Sequence, residues 1–320
     1  MKTHNVNSKG NRFDLYLMGL FPDISRSKIQ SLIKSQKILI NGKPSKSSYL
    51  LKGSEIVSYN SHSLIPTKNQ DKNILFEKMK LDILHEDNSI IVINKQAGLV
   101  VHPGAGHLTG TLLNGLIDKI DTRTFDSTPG IVHRLDKETT GVIIVAKDHK
   151  SHNFISKQFE QRKVKKIYNA LVWGKIKGDG IIEGNIIRND RDRKTFRMTN
   201  KDGRHSKTHY KVLNIFEPFS YLELSPKTGR THQIRVHMKS IGHPIISDSS
   251  YSGGESMIKS FHVKHSSLIK KVLKSINRVA LHAKSIEIIN PSTMKKEKYS
   301  APIPNDLNET INFLSNNELL

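Results

Sequence analysis

The stretch His133-Arg134-Leu135-Asp136-Lys137-Glu138-Thr139-Thr140-Gly141 is the part of this chain best equipped for chemistry. It sets one carboxylate, Asp136, between two cations, Arg134 and Lys137, just ahead of the apolar run Val142 to Ala146. A carboxylate placed this way serves as a nucleophile or a base, and equally closes a turn or makes a structural ion pair. Composition narrows the alternatives. The 320 residues contain no Cys, which removes disulfides, thiolate zinc sites, iron–sulfur ligation and cysteine nucleophiles. The 16 His suggest a metal, but His232 and His237 are five apart and share no helical face. His102, His107 and His133 lie in turn-like stretches with no paired carboxylates, so no metal site is expected. Gly104-Ala105-Gly106 lacks the spacing of a phosphate-cradling loop and reads as a tight turn, so no nucleotide cofactor is expected either.

Stepping outward from Asp136, the length predicts about two domains. Hydrophobic residues at 36% and charged residues at 25% suit a folded soluble chain. No apolar run approaches the roughly 20 residues of a membrane-spanning helix, and Met1 to Asn11 carry no apolar signal core, so a cytoplasmic protein is expected. The formal charge of +22 points to a polyanion partner. Its cations cluster at KQFEQRKVKK (157–166) and RNDRDRKTFRMTNKDGR (188–204), as phosphate-facing stretches do.

Residues 12–60 read as a small unit. Ser25 is a fitting N-cap for a helix from Arg26 to Ser35 that places Ile29, Leu32 and Ile33 on one face. Asn41-Gly42 then predicts a type I′ hairpin turn after Ile38-Leu39-Ile40. Residues 61–79 are polar and aperiodic, a linker, and 80–320 form a second domain. In it, strand patterns (Ile90 to Ile93, Val142 to Ala146, Tyr221 to Leu224, Ser285 to Ile289) alternate with helical ones (Thr111 to Ile120, Lys150 to Gln161). Thr231 is placed to N-cap a further helix carrying Ile234, Met238 and Ile241 and ending at Gly242.

Two resemblances sharpen these readings. SRSKIQSLIKSQKILINGK resembles the S4 RNA-binding module, which implies RNA contacts from Arg26, Lys28, Lys34, Lys37 and Lys43. HRLDKETTG closely resembles the signature of the RluA/RluD family of pseudouridine synthases. LDILHEDNSIIVINKQAGLVVHPGAGHLTGTLLNGLI, KIYNALV, KTGRTHQIRVH and RVALHAK follow in the family's order, so the likeness covers nearly everything beyond residue 80. Gln96, Glu138 and the stretch Ser247 to Tyr251 depart from the usual family residues, although Asp248 and Tyr251 are kept.

The resemblance implies an α+β chain: an S4-like α/β module, then a pseudouridine synthase domain with a mixed, largely antiparallel central sheet flanked by helices. It implies isomerisation of uridine in RNA, with large-subunit ribosomal RNA favoured over transfer RNA. It implies Asp136 as the catalytic residue, Arg230 as the arginine that pairs with it, Tyr168 as the ring that stacks on the base, and Arg134 as the side chain that enters the RNA stack. The reaction conserves atoms, so no cofactor is expected, and a monomer is the default. Two rivals stand beside it. One is a catalytically silent RNA-binding assembly factor. The other is a nucleoside hydrolase using Asp136 with Glu138, whose side chains in an extended segment would lie about 7 Å apart, in the range of an inverting pair.

Overall fold

The computed structural model describes residues 2–21, 24, 26–60, 74–104, 107–121 and 130–317. The chain divides between Asn73 and Ile74 into two compact units. The first contains β1 (Lys2–Asn5), β2 (Lys9–Arg12), α1 (Phe13–Leu20), α2 (Arg26–Lys34), β3 (Ile38–Ile40), β4 (Leu50–Lys52) and β5 (Ile56–Tyr59). β5 lies between β1 and β3, and β2 pairs with β4. Ile29, Leu32 and Ile33 turn inward as their spacing predicts, against Phe13 and Leu17 of α1. Asn41 (φ 49°) and Gly42 (φ 71°) are both left-handed, and Ile40 and Lys43 exchange backbone hydrogen bonds of 3.0 and 2.9 Å, the expected I′ turn. It opens no hairpin, because β3 pairs with β5. Lys34, Lys37 and Lys43 are exposed, while Ser25 and the side chains of Arg26 and Lys28 lie outside the described residues. The sequence reading had no place for β1, a polar strand held by its backbone ladder to β5.

Of the expected linker, residues 61–73 lie outside the described residues, and 74–79 belong to the second unit. Ile74 and Met79 pack on its core, Asn114 Nδ2 donates to the Leu75 carbonyl at 2.9 Å, and the Glu77 carboxylate accepts from Gly110 N at 2.9 Å.

The second unit carries β6 (Asp82–Glu86), β7 (Ile90–Lys95), β8 (Thr140–Ala146), α3 (His149–Glu160), β9 (Lys165–Trp173), β10 (Gly180–Arg188), β11 (Phe196–Thr199), β12 (Arg204–Phe216) and β13 (Phe219–Pro226). Then come α4 (Gln233–Ser240), α5 (Ser266–Ser275), β14 (Leu281–Ile289), β15 (Lys296–Ser300) and α6 (Asn305–Asn317). One sheet runs β11-β10-β12-β13-β9-β14-β8-β7-β6, with β15 also on β14. Every described pairing in it is antiparallel except β14 with β8, so the sheet is mixed and largely antiparallel. β14 joins the two halves of the sheet. Along one edge it pairs with β9; along the other, His282 and Ala283 pair with β8 and Ser285 to Ile289 pair with β15.

The helix expected over Thr111 to Ile120 is absent. Leu112 N and Leu113 N donate to the carbonyls of Val100 and Val101 (2.8 and 3.1 Å). Gly115 N reaches the Thr111 carbonyl at 3.3 Å, but Leu116 N and Lys119 N then bond three residues back, to Leu113 and Leu116 (3.2 and 2.9 Å), so no α-helical ladder follows. Only a short 3₁₀ turn, Ile117–Lys119, remains. The periodicity had signalled burial, which Leu112, Leu113 and Leu116 do satisfy.

Gly141, the last residue of the HRLDKETTG stretch, has φ 107°, and a Cβ there would lie 2.2 Å from the Ala283 carbonyl oxygen of β14. The parallel crossing that seats β8 beside β14 therefore requires glycine. Gly141→Ala is expected to cost roughly 3 kcal/mol or more, read by chemical denaturation. Stability equal to the parent would contradict this crossing.

Among the described residues of this unit, two histidines are wholly buried. His237 Nε2 meets Ser206 Oγ at 2.8 Å, and His282 Nδ1 meets Thr140 Oγ1 at 2.9 Å. Burial pushes both down to about 4 from the usual 6.5. Between those values the unfolded chain binds protons that the folded chain refuses, so stability is full above pH 6.5 and is lost as pH falls towards 4. Each histidine is expected to contribute about 1.4 kcal/mol per pH unit to that slope. Denaturation curves at pH 7.0, 6.0 and 5.0 measure it, and a flat result would remove the assignment of neutral buried rings.

Candidate active site

Asp136 sits on the loop that leads into β8, in a cleft of about 550 Å³. Its loop is held by backbone contacts on several sides. Thr139 N donates to the Asp136 carbonyl at 3.1 Å, closing a turn over residues 136–139. The carbonyl of Lys137, the next residue, accepts from Gly98 N at 3.0 Å and from the Lys95 ammonium at 2.9 Å. Lys95 is 1% exposed and gives its other protons to the carbonyls of Gln96 (2.8 Å) and Leu99 (2.9 Å). Burial pushes Lys95 down to about 8, and those three carbonyls are what make a buried ammonium tolerable. Upstream, His133 Nε2 accepts from Ile144 N at 2.9 Å, which defines that nitrogen as unprotonated, and burial pushes the ring down to about 3.

The arginine that meets Asp136 is Arg235. Its Nη1 lies 3.1 Å from Asp136 Oδ2, while Nε and Nη2 take both oxygens of Asp248 at 2.7 and 2.8 Å. Asp248 is 1% exposed, so this fork is a bidentate pair withdrawn from water. Burial works against the charge on Arg235, but the two carboxylates outweigh it and raise its pKa. The ring of Tyr251 lies 4.8 Å from the same guanidinium. Tyr251 Oη accepts from Phe196 N at 2.9 Å and lies 2.8 Å from His232 Nδ1. Burial pushes His232 down, so the ring is neutral. We assign the phenol proton to Nδ1 and the ring proton to Nε2, which stands 3.9 Å from Asp136 Oδ1. One carboxylate oxygen is thus anchored by Arg235 and the other is open to the cleft.

Arg230 was expected to pair with Asp136, and the structure corrects this. Arg230 lines the same cleft, but its Nε donates to the His205 carbonyl at 3.0 Å. The two arginines are five residues apart in one block, and α4, starting at Gln233, separates them: Arg230 stays on the turn before it while Arg235 rides the buried face. Thr231 is likewise not the N-cap. His232 holds that position with φ 55°, while Gln233 organises the turn by accepting from Thr228 Oγ1 (2.6 Å) and Arg230 N (3.0 Å). Thr231 Oγ1 instead accepts from Arg134 Nη2 at 3.1 Å, and Arg134 itself is exposed. Tyr168, on β9, lines the cleft, and burial with the nearby Asp136 raises its phenol pKa, so it stays protonated. Glu138 is not among the cleft residues, and its segment is a turn rather than extended, which removes the geometry of a two-carboxylate hydrolase. Among the described residues no three His, Asp or Glu gather as metal ligands.

Sequence reasoning missed Arg235, Asp248, His232, Lys95 and Tyr251. Arg235 and His232 do lie in the KTGRTHQIRVH block and Lys95 in the block over 81–117, and Asp248 and Tyr251 are kept within an otherwise divergent stretch.

The fold that carries this cleft, with one carboxylate braced by a guanidinium, is shared with known proteins. Residues 89–240 match the family described as RNA pseudouridylate synthase, and residues 12–57 match the S4 domain. The ribosomal large subunit pseudouridine synthase D of Neisseria meningitidis serogroup B is 39% identical over 95% of this chain and 79% of its own length. That of Blochmanniella floridana is 36% identical over 97% and 96%. The human RNA pseudouridylate synthase domain containing 4 shares the fold, with TM-score 0.56 and 24% identity over 73% of this chain and 93% of its own. This chain belongs to the RNA pseudouridylate synthase family and carries an S4 domain ahead of the synthase domain.

Arg235→Met is expected to cost about 3–5 kcal/mol, because Asp248 is left buried without its partner. It should also lower turnover by roughly 100-fold as Asp136 loses its anchor. Arg230→Met, losing one bond to a carbonyl, should cost only about 1 kcal/mol. Denaturation of both variants checks the contrast, and equal losses would refute the pairing.

Proposed function

We propose that this RNA pseudouridine synthase isomerises uridine in large-subunit ribosomal RNA, with Asp136 as the group that engages the target nucleotide. The observation that carries the reading is the Asp136 carboxylate itself: a quarter exposed, tied at Oδ2 and open at Oδ1 in a cleft of nucleotide size. The reaction breaks the C1′–N1 bond, forms C1′–C5, releases the C5 proton and returns a proton to N1. No atom is gained or lost, so a carboxylate, a stacking surface and an extruded base suffice.

Tyr168 is the stacking surface. Its protonated phenol presents a neutral ring to the base, and in the same cleft it stands close enough to Asp136 to feel its charge. Arg134, exposed and bonded to Thr231 among the described residues, is placed to reach into the stack that the base leaves. Arg26, Lys28, Lys34, Lys37 and Lys43 of the S4 domain hold the RNA backbone, supported by the exposure of Lys34, Lys37 and Lys43. The choice of large-subunit ribosomal RNA is supported by the names of the relatives in N. meningitidis and B. floridana. The reading includes the cytoplasm as compartment and a monomer as working unit.

The test is tritium release from [5-³H]uridine-labelled ribosomal and transfer RNA, without added metal or cofactor. Wild type is expected to release label from the ribosomal RNA, and Asp136→Asn to release less than about one thousandth as much. Label from transfer RNA alone would replace the substrate, free uracil would mark a hydrolase, and an Asp136→Asn variant as active as wild type would overturn the role of Asp136.

A further inference from the structure

The cleft holds more positive charge than Asp136 accounts for. Arg162, Lys166 and Arg230 all line it, and among the described residues none of the three makes an ion pair. Three separate pieces of chain deliver them. α3 ends in a turn in which Arg162 N donates to the Phe159 carbonyl (3.1 Å) and Lys163 N to the Gln158 carbonyl (2.9 Å), with Arg162 left-handed at φ 57°. Lys166 lies at the start of β9, and its ammonium donates to the Thr228 carbonyl at 3.3 Å. Gly229, beside Arg230, comes so near that a Cβ there would lie 3.8 Å from Lys166 Nζ.

The electrostatics agree with this crowding. Burial and the charges of Arg204 and Arg162 lower the pKa of Arg230, and burial pushes Lys166 down to about 8. Like charges gathered in a half-buried wall repel, and an anion seated among them reverses the sign of that interaction. The two acidic side chains of the cleft do not supply it. Asp136 belongs to Arg235, and Glu160 is exposed and makes no ion pair among the described residues.

We propose that Arg162, Lys166 and Arg230 form one phosphate subsite that grips a single backbone phosphodiester of the RNA strand beside the target uridine. The assignment rests on the reading of the cleft as an RNA-uridine site. It gives Arg230 a task, since Arg235 is the arginine that holds Asp136, and it separates the group that engages the nucleotide from the group that registers the strand.

Glycine adopts the φ of Arg162 without strain, so Arg162→Gly removes the charge while sparing the fold, and its melting temperature should not fall below wild type. Binding of a large-subunit ribosomal RNA transcript is measured by filter retention from 50 to 300 mM KCl. In Arg162→Gly the slope of log Kd against log [KCl] is expected to shrink by about 0.7, the value for one phosphate of a single strand. At 100 mM KCl, Kd should rise roughly tenfold. Arg162→Gly combined with Arg230→Gln should shrink the slope no further, because both hold the same phosphate. An unchanged slope in Arg162→Gly, or a second equal loss in the double variant, would overturn the shared subsite. Arg230→Gln alone repeats the test should Arg162→Gly melt early.

In steady-state tritium release, KM should rise by more than kcat falls, and the reverse split would make these residues part of the chemistry instead. Wild type that binds with the expected slopes yet releases no tritium would remove the isomerase reading and leave the subsite standing. Tritium release together with unchanged slopes would remove the subsite alone.

Discussion

A single buried arginine between two carboxylates sets the terms for everything around it. Arg235 spends two of its donor positions on Asp248 and one on Asp136. Desolvating three charged groups is costly, and the cost is offset only if the geometry is kept. α4 must therefore start where it does, the segment carrying Asp248 must meet it, and the Tyr251 ring must lie 4.8 Å from the guanidinium. The Phe196–Tyr251–His232 chain of hydrogen bonds extends the same constraint to β11 and to the open oxygen of Asp136.

The loop of Asp136 is fixed mostly through its backbone. Lys95 and Gly98 take the carbonyl of Lys137, and Arg278, itself forked onto Asp306 at 2.7 and 2.9 Å, reaches towards the carbonyl of Glu138. Arg134 and Asp136 are consequently left to face the cleft. Buried cations satisfied by carbonyls do here what an apolar core cannot, since they set the direction of a peptide as well as its depth. The small residue at the end of the loop, Gly141, lets β14 close over it.

Where sequence reading succeeded, a local pattern coincided with a local cause. Ile29, Leu32 and Ile33 are one face of one helix, Asn41-Gly42 is one turn, and the runs at 90–93 and 142–146 are strands buried on both sides. The HRLDKETTG stretch marked Asp136 as the residue to watch. Failures came where the cause is remote. Thr111 to Leu116 carries a helical apolar spacing, but Leu112 N and Leu113 N tie its start to Val100 and Val101, and the chain goes on in turns that close three residues back. Arg230 and Arg235 lie in the same motif, and only the start of α4 and the position of Asp248 decide which one meets Asp136. Arg235 is flanked by apolar Ile234 and Val236, and nothing local says that its own buried position will be matched by an acid 13 residues later.

The place of β14 has a consequence for the order of events as the chain is made. Asp136 leads into β8 and Tyr168 lies on β9, and these strands do not touch: β14, residues 281–289 of 320, is the piece that stands between them. Synthesis runs from the amino end, so a nascent chain has an S4 unit available long before the strand that completes the cleft has left the ribosome. The cleft of each molecule thus cannot be completed until β14 has been made, well after the S4 unit.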